Sequence, residues 1–234
     1  MSDRTEPEMT IISVEDNFLD QQVVRKTGLA LSPPAFLASI IRPGPCDEVW
    51  FLPRASSSLT TGNTLLNPFG CQKLDAGVTL AVELKKPLGP GIVDIDEADA
   101  AIGWGRIALD VVRRDVPSEQ AFLARSYLTH TPISPTRTRW SDMPASNDCV
   151  LRLTVNGVLR QHSTLTAQRA SAATLLTQIV RSARLQPGDL LLTGTPHGVA
   201  FDGSSQWLTV GAEIVASVEG LGQLEMTVQD ERPT

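Results

Sequence analysis

The chain has 234 residues, 41% of them hydrophobic, and a formal net charge of -6. That length can bury a core without disulfide or metal staples, and its Lys and Arg residues are scattered rather than gathered into a stripe, which excludes an electrostatic grip on nucleic acid. The polar, acidic start and the lack of any run near ~18 apolar residues predict a cytoplasmic protein with no signal peptide and no membrane partner.

Residues 1–45 read as an N-terminal segment that is partly irregular, and residues 46–232 as the main domain. Residues 1–20 show no clear periodicity. Residues 49–52, Val-Trp-Phe-Leu, are a strand, and the Ser/Thr-rich residues 55–63 are a loop. Residues 78–84 are β-branched and apolar, which predicts a half-buried strand. Residues 85–91 carry two prolines and two glycines and must turn. The acids at Asp96 and Glu97 suit a helix N-terminus. Residues 150–155 alternate apolar and polar, so one face of that strand is wet. Asn156-Gly157 supplies the two φ > 0 positions of a type I′ turn, and residues 158–161 return.

Residues 170–183 are the clearest helix, with Ala172, Leu175, Leu176, Ile179 and Ala183 on one stripe. Pro187-Gly188-Asp189 breaks the chain. Residues 190–192, all leucine, suit a strand buried on both faces, which residues 193–196 end. Two more strands follow at 214–218 and 224–228. Many short strands with few helices predict an α+β fold that is mostly β. Cys46, Cys71 and Cys149 lie too far apart for a disulfide framework or a zinc site and read as free thiols.

Taken together, these pieces resemble the fumarylacetoacetate hydrolase family. The resemblance rests on a strand ending in Val155-Asn156-Gly157 and the Arg160-Gln161 pair. It rests also on the Pro-Gly-Asp-Leu-Leu-Leu-Thr-Gly-Thr-Pro-His-Gly-Val run at 187–199, and on Glu219-Gly-Leu-Gly222. It spans residues 49–228. It implies a mixed β fold with few helices, usually a dimer, and chemistry next to the carbonyl of 2-oxo acids or 1,3-dicarbonyl compounds. A divalent ion, usually Mg²⁺, acts there as a Lewis acid on the forming enolate.

The chain departs from the family's metal ligands. Gly77 and Thr79 stand where the family has its Glu-x-Glu pair, and only the third ligand is retained, as Asp110. One carboxylate leaves a hard ion with mostly water ligands. Millimolar Mg²⁺ binding at best is therefore expected, improved by the double change Gly77→Glu, Thr79→Glu. Asp75 shares a strand face with Gly77, and Glu83 shares one with Thr79 but about 13 Å further along at ~3.3 Å per residue; these are the two acids considered as replacements. Arg54 and Arg125 stand near positions where the family carries lysines. Arginine grips carboxylates bidentately but does not release a proton.

By the same resemblance, Thr195, Gly194, Gln161 and Arg54 are the substrate-binding candidates. His130 and Arg125 are the catalytic candidates, and Asp110 is the metal candidate. His197 borders the same loop, His162 reads as a strand end, and Arg113, Arg114 and Asp115 read as a surface ion-pair run. The strand Gly77-Val-Thr-Leu-Ala81 is similar to the N-terminal half of the bifunctional decarboxylase/isomerase of the homoprotocatechuate pathway, which also lacks the two glutamates. Three functions are open: a subunit of an isomerase/decarboxylase for unsaturated 2-oxo diacids in aromatic catabolism, a non-catalytic partner subunit, and a metal-independent hydrolase or tautomerase. The partners implied are a small 2-oxo acid and a second subunit, either a copy of this chain or a metal-bearing paralogue.

Overall fold

A computed structural model of the protein describes residues 9–15, 17–18, 49–146, 148–203 and 205–231. Among them the strands form two larger sheets and one short ladder. The first sheet has the order β2-β1-β11-β5-β6-β8, built from β1 (Ile11–Glu15), β2 (Trp50–Arg54), β5 (Leu74–Leu84), β6 (Ile102–Arg113), β8 (Thr138–Arg139) and β11 (Leu190–Leu192). The second has the order β10-β9-β12-β13-β4, from β4 (Thr64–Asn67), β9 (Val150–Val155), β10 (Val158–Thr164), β12 (Glu213–Val218) and β13 (Gly222–Asp230). β3 (Leu59–Thr60) pairs in parallel with β7 (Thr131–Pro132). The fold is mostly β with few helices, as its sequence predicts.

The first sheet rolls on itself. The segment around β7 runs along β6, where Val111 N donates to the His130 carbonyl at 3.3 Å and Ser134 N to that of Ile107 at 2.8 Å. β3, which follows β2 in the chain, closes the circuit through its ladder with β7. Strand alternation then fixes what lies inside. From β5 the inward side chains are Asp75, Gly77, Thr79, Ala81 and Glu83; opposite them on β6 stand Val112, Asp110, Ala108, Arg106 and Trp104. Ile11, Ala81, Ala108, Ile133, Leu190 and Leu192 make a separate apolar cluster in the middle of the roll. Polar groups occupy both ends of this plug. At one, Glu83 meets Arg106 at 3.1 Å and Arg137 at 3.2 Å. The other holds Asp110.

The outward residues of the same strands, among them Val78, Leu80, Val82, Leu109 and Val111, join the main core with the second sheet. Every residue of β5 is consequently buried. The predicted half-buried strand is a fully buried one, because the roll covers one face and the second sheet the other. Within that second sheet β9 shows the expected alternation of buried and half-buried residues. Asn156 and Gly157 have φ of 51° and 75°, as the hairpin turn requires.

Three helices are described. α1 (Ile95–Ala101) begins at Asp94, whose carboxylate accepts from Glu97 N at 2.7 Å. α2 (Ala121–Arg125) is short. α3 (Ala172–Ile179) buries Ala172, Ala173, Leu175, Leu176 and Ile179, and Ser171 caps it by accepting from Thr174 N. α3 is shorter than the predicted helix at 170–183: the Ser171 cap sets its start, and irregular turns replace it after Val180. The irregular stretch expected at 1–20 contains β1, which is central to the rolled sheet because Ile11 and Val14 are fully buried. Most of the segment 1–45, and Cys46 with it, lies outside the described residues. Cys71 and Cys149 are buried free thiols. No helix of the described residues is long and apolar enough to cross a membrane.

Candidate active site

The Asp110 end of the roll is assembled from distant parts of the chain. Gly77 on β5 lies directly opposite Asp110 on β6. β11 ends at Leu192, so the edge of β5 beyond it is taken over by the loop 193–196 and by Gln161 of β10. Thr193 N donates to the Leu80 carbonyl at 2.9 Å. The Gln161 side chain accepts from Val78 N at 2.8 Å and donates to Thr195 Oγ1 at 3.1 Å and to the Pro196 carbonyl at 2.6 Å. Gly194 has φ +105°, with Asn17 Cβ and the Val14 carbonyl within 3.1–3.3 Å of where a Cβ would stand; a side chain there meets both backbone strain and the neighbouring segment.

Gly77 answers to the same loop. A Cβ built on it would fall on Thr195 Oγ1, and would lie 2.8 Å from Thr195 Cβ and 2.9 Å from its Cγ2. Thr195 therefore fills the space that a glutamate at position 77 would need. The double change Gly77→Glu, Thr79→Glu, expected to improve metal binding, therefore requires the Thr195 side chain to move as well. Gly77→Ala alone is expected to cost about 1–3 kcal/mol through overpacking. In a double-mutant cycle with Thr195→Gly, urea midpoints should show favourable coupling; strictly additive costs would mean that the two residues do not touch.

Asp110 is 5% exposed, and its partner is a guanidinium. Arg54, at the end of β2 and 4% exposed, makes an ion pair with Asp110 Oδ1. Arg54 Nη1 also donates to the His130 carbonyl at 2.8 Å, to Thr131 Oγ1 at 3.1 Å and to the Arg125 carbonyl at 3.4 Å. Arg125, the last residue of α2, brings its Nε to 3.9 Å from the same Asp110 oxygen, and its Nη2 pairs with Glu15. Arg114 lies 3.6 Å from both Glu15 and Asp75 and stacks over the Phe201 ring at 4.5 Å. Burial holds the Arg54 guanidinium below its ordinary pKa against the pull of Asp110, and brings Arg125 down to about 10.

Asp75 and Glu83 do not complete a metal site. The Asp75 carboxylate accepts from Ala200 N at 2.9 Å and Phe201 N at 3.1 Å and so anchors the loop after Val199. Burial raises its pKa, while Arg114 and those amides oppose the rise. Glu83 serves the ion pairs at the far end of the roll. Among the described residues no group of three or more His, Cys, Asp or Glu side chains is placed to hold a metal ion. A neutral Thr79, a filled space at Gly77 and a carboxylate already paired with arginine do not fit Mg²⁺, which needs several anionic oxygens. Asp110 is placed as the partner of Arg54 rather than as a free metal ligand.

The His130 ring is fully buried behind the arginines, its Nε2 3.3 Å from the Leu66 carbonyl oxygen. Its pKa falls to about 4, chiefly through burial and then through Arg54, against the backbone carbonyls of Leu66 and Ala124. The ring is thus neutral at neutral pH, and what it gives to the Arg54 contact is its backbone carbonyl. His162 is exposed on β10, and His197 is half-buried. Arg113 and Asp115 form a surface ion pair at 2.7 Å, as expected of that run, whereas Arg114 turns inward. The sequence reading missed Glu15, which belongs to no recognisable motif, and the inward role of Arg114, which it assigned to a surface ion-pair run.

The protein-family model described as fumarylacetoacetate (FAA) hydrolase C-terminal matches residues 20–229. This chain belongs to the fumarylacetoacetate hydrolase family. A mitochondrial oxaloacetate tautomerase of Caenorhabditis elegans is 30% identical over 178 residues, covering 71% of this chain and 79% of that protein. Among solved structures, 5-carboxymethyl-2-hydroxymuconate delta-isomerase from Mycobacterium smegmatis superposes with a TM-score of 0.77 at 21% identity, over 97% of this chain and 80% of that one. Maleylpyruvate hydrolase from Sphingobium sp. SYK-6, in complex with manganese(II) and pyruvate, gives 0.74 at 18% identity, over 95% of this chain and 71% of that one. The family's fold is therefore retained around a buried charged cluster that is arranged differently from a metal cage.

Proposed function

We propose that this chain binds a small 2-oxo acid at the Asp110 end of the roll, as a subunit of an isomerase or decarboxylase acting on unsaturated 2-oxo diacids in aromatic catabolism. The observation that carries the reading is the convergence there of Thr195, Gly194, Gln161, Arg54 and Arg125 with Asp110. The tautomerase and isomerase named among the relatives support the reaction class. In this reading Thr195 and the Gly194 backbone bind a substrate carboxylate, Gln161 orients the carbonyl, and the arginines hold negative charge. The subunit works as a homodimer or beside a metal-bearing paralogue. Among the described residues Mg²⁺ has no fitting donor set, so in this reading metal-assisted enolisation falls to such a partner.

The second reading is a non-catalytic subunit, favoured by one observation, the Thr195 side chain filling the space at Gly77. One experiment separates the two. The pure chain is mixed with enol-oxaloacetate in EDTA, and ketonisation is followed by ultraviolet absorbance. A rate at least about tenfold above buffer, a loss of about 1.4 kcal/mol in barrier, and lowered by Thr195→Ala, supports an enzyme acting alone. Background rates in EDTA and in Mg²⁺ alike support a chain that needs its partner or has no activity.

A further inference from the structure

The disagreement between the family's metal and this donor set has a specific content. We infer that the guanidinium pair Arg54 and Arg125 stands where a divalent ion would and takes the carboxylate of a 2-oxo acid directly. The inference rests on the proposed 2-oxo acid reading and names the groups that perform the recognition.

Two observations lead to it. The first is charge: the one carboxylate retained from the family's ligand set, Asp110, has its Oδ1 in an ion pair with Arg54 and 3.9 Å from Arg125 Nε. A cation therefore already occupies the surroundings of Asp110, and it is part of the chain. The second is hydrogen bonding. The Nε atoms of Arg54 and of Arg125 are buried and have no hydrogen-bond acceptor. Both belong to side chains that are no more than 4% exposed, and both guanidinium groups meet the same oxygen, Asp110 Oδ1. Each buried N–H left without an acceptor costs about 1–3 kcal/mol. Such an orphaned donor in a native protein calls for an explanation, a bound acceptor being one; Arg114 Nε, beside the same cluster, is a third.

A carboxylate suits these donors better than any other small ligand class. It offers acceptor oxygens only, it is planar, and charge-assisted bonds to guanidinium are roughly twice as strong as neutral ones. A free cation is excluded by like charge. A neutral ligand leaves the guanidinium charges, among the described residues, to Asp110 and Glu15. Arginine also tolerates such a buried position better than lysine, because it stays charged and its fork is pre-organised. The chain would thus hold the acid end of a 2-oxo acid without polarising the oxo group as a metal does.

The test uses oxalate, a planar stand-in for the 2-oxo acid end, and isothermal calorimetry on the full chain. Oxalate is expected to bind with the same affinity, within about threefold or 0.7 kcal/mol, in EDTA and in excess Mg²⁺. Arg125→Lys should weaken binding at least about tenfold. Asp110→Asn is the discriminating variant: a metal site loses its ligand and its affinity, whereas a guanidinium site loses a competing carboxylate and binds oxalate as tightly or more tightly. If that variant does not fold, the comparison of EDTA with Mg²⁺ on the unmodified chain still decides. Binding that appears only with Mg²⁺ overturns the substitution of arginine for metal and leaves the 2-oxo acid reading standing. No heat in either buffer overturns both.

Discussion

Asp110→Ala is expected to lower the unfolding free energy by about 3–5 kcal/mol, the cost of leaving a buried charge uncompensated. The carboxylate is buried, and its removal strands Arg54, whose side chain has no exposed surface, beside Arg125. Among the described residues, Glu15, which Arg114 already shares, would be the carboxylate left beside the two guanidinium groups. Such a loss is a large fraction of a stability of about 5–15 kcal/mol. The paired change Arg54→Met, Asp110→Leu should recover at least half of it, since an apolar pair needs no counter-charge. Recovery should be incomplete, because the His130 carbonyl and Thr131 Oγ1 lose the Arg54 donor. Urea denaturation of the three proteins measures this. A single-variant loss below about 1 kcal/mol would mean that the arginines are solvated and that Asp110 and Arg54 are not a buried ion pair.

Stability should also fall steeply on mild acidification, and His130 should cause much of the fall. The sign follows from linkage. The histidine titrates near 6.5 when unfolded and at about 4 in the folded chain. Between those values the unfolded chain binds the extra proton, so stability is lost as pH falls from about 6.5 to about 4. The separation corresponds to a loss on the order of 3 kcal/mol. His130→Gln keeps a donor for the Leu66 carbonyl and has no proton to gain, so its urea midpoint should change less across this window. Asp75 acts in the opposite direction, because its raised pKa favours the folded state as pH falls. Both proteins contain it, so the difference between their profiles isolates His130. Parallel profiles for the two proteins would rule the histidine out.

Much of the fold was legible because local pattern and burial agree. The β9–β10 hairpin follows from alternation plus Asn156-Gly157, and the Leu190–Leu192 strand from a short apolar run. β6 carries no such signal, since Gly103, Gly105 and Arg106 interrupt its apolar residues while both its faces are covered. β1 was hidden for a different reason: five residues are too short a window for periodicity, and their pairing with β11 is separated by most of the chain. In the site, Asp110, Thr195 and Gln161 could be found because they lie in motifs. The pairing of Arg54 with Asp110 could not, because nothing in two sequences 56 residues apart indicates that a rolled sheet brings them together. The contact of Thr195 with Gly77 was equally hidden, since a glycine states only that a side chain is absent and not what has taken its place.

That contact has a historical meaning. Suppose an ancestor of this chain carried a glutamate at position 77. The present arrangement could then be left only in a certain sequence of steps, because a carboxylate restored there first would collide with the Thr195 hydroxyl. Shrinking Thr195 first would remove the group that Gln161 holds. Freeing Asp110 would require the loss of Arg54, which also ties down the stretch from Arg125 to Thr131. Each reverse step is costly until the others are in place, so the change behaves as a ratchet. Laboratory selection for metal-dependent activity should therefore fail from single substitutions and succeed only from libraries that vary positions 54, 77, 79 and 195 together.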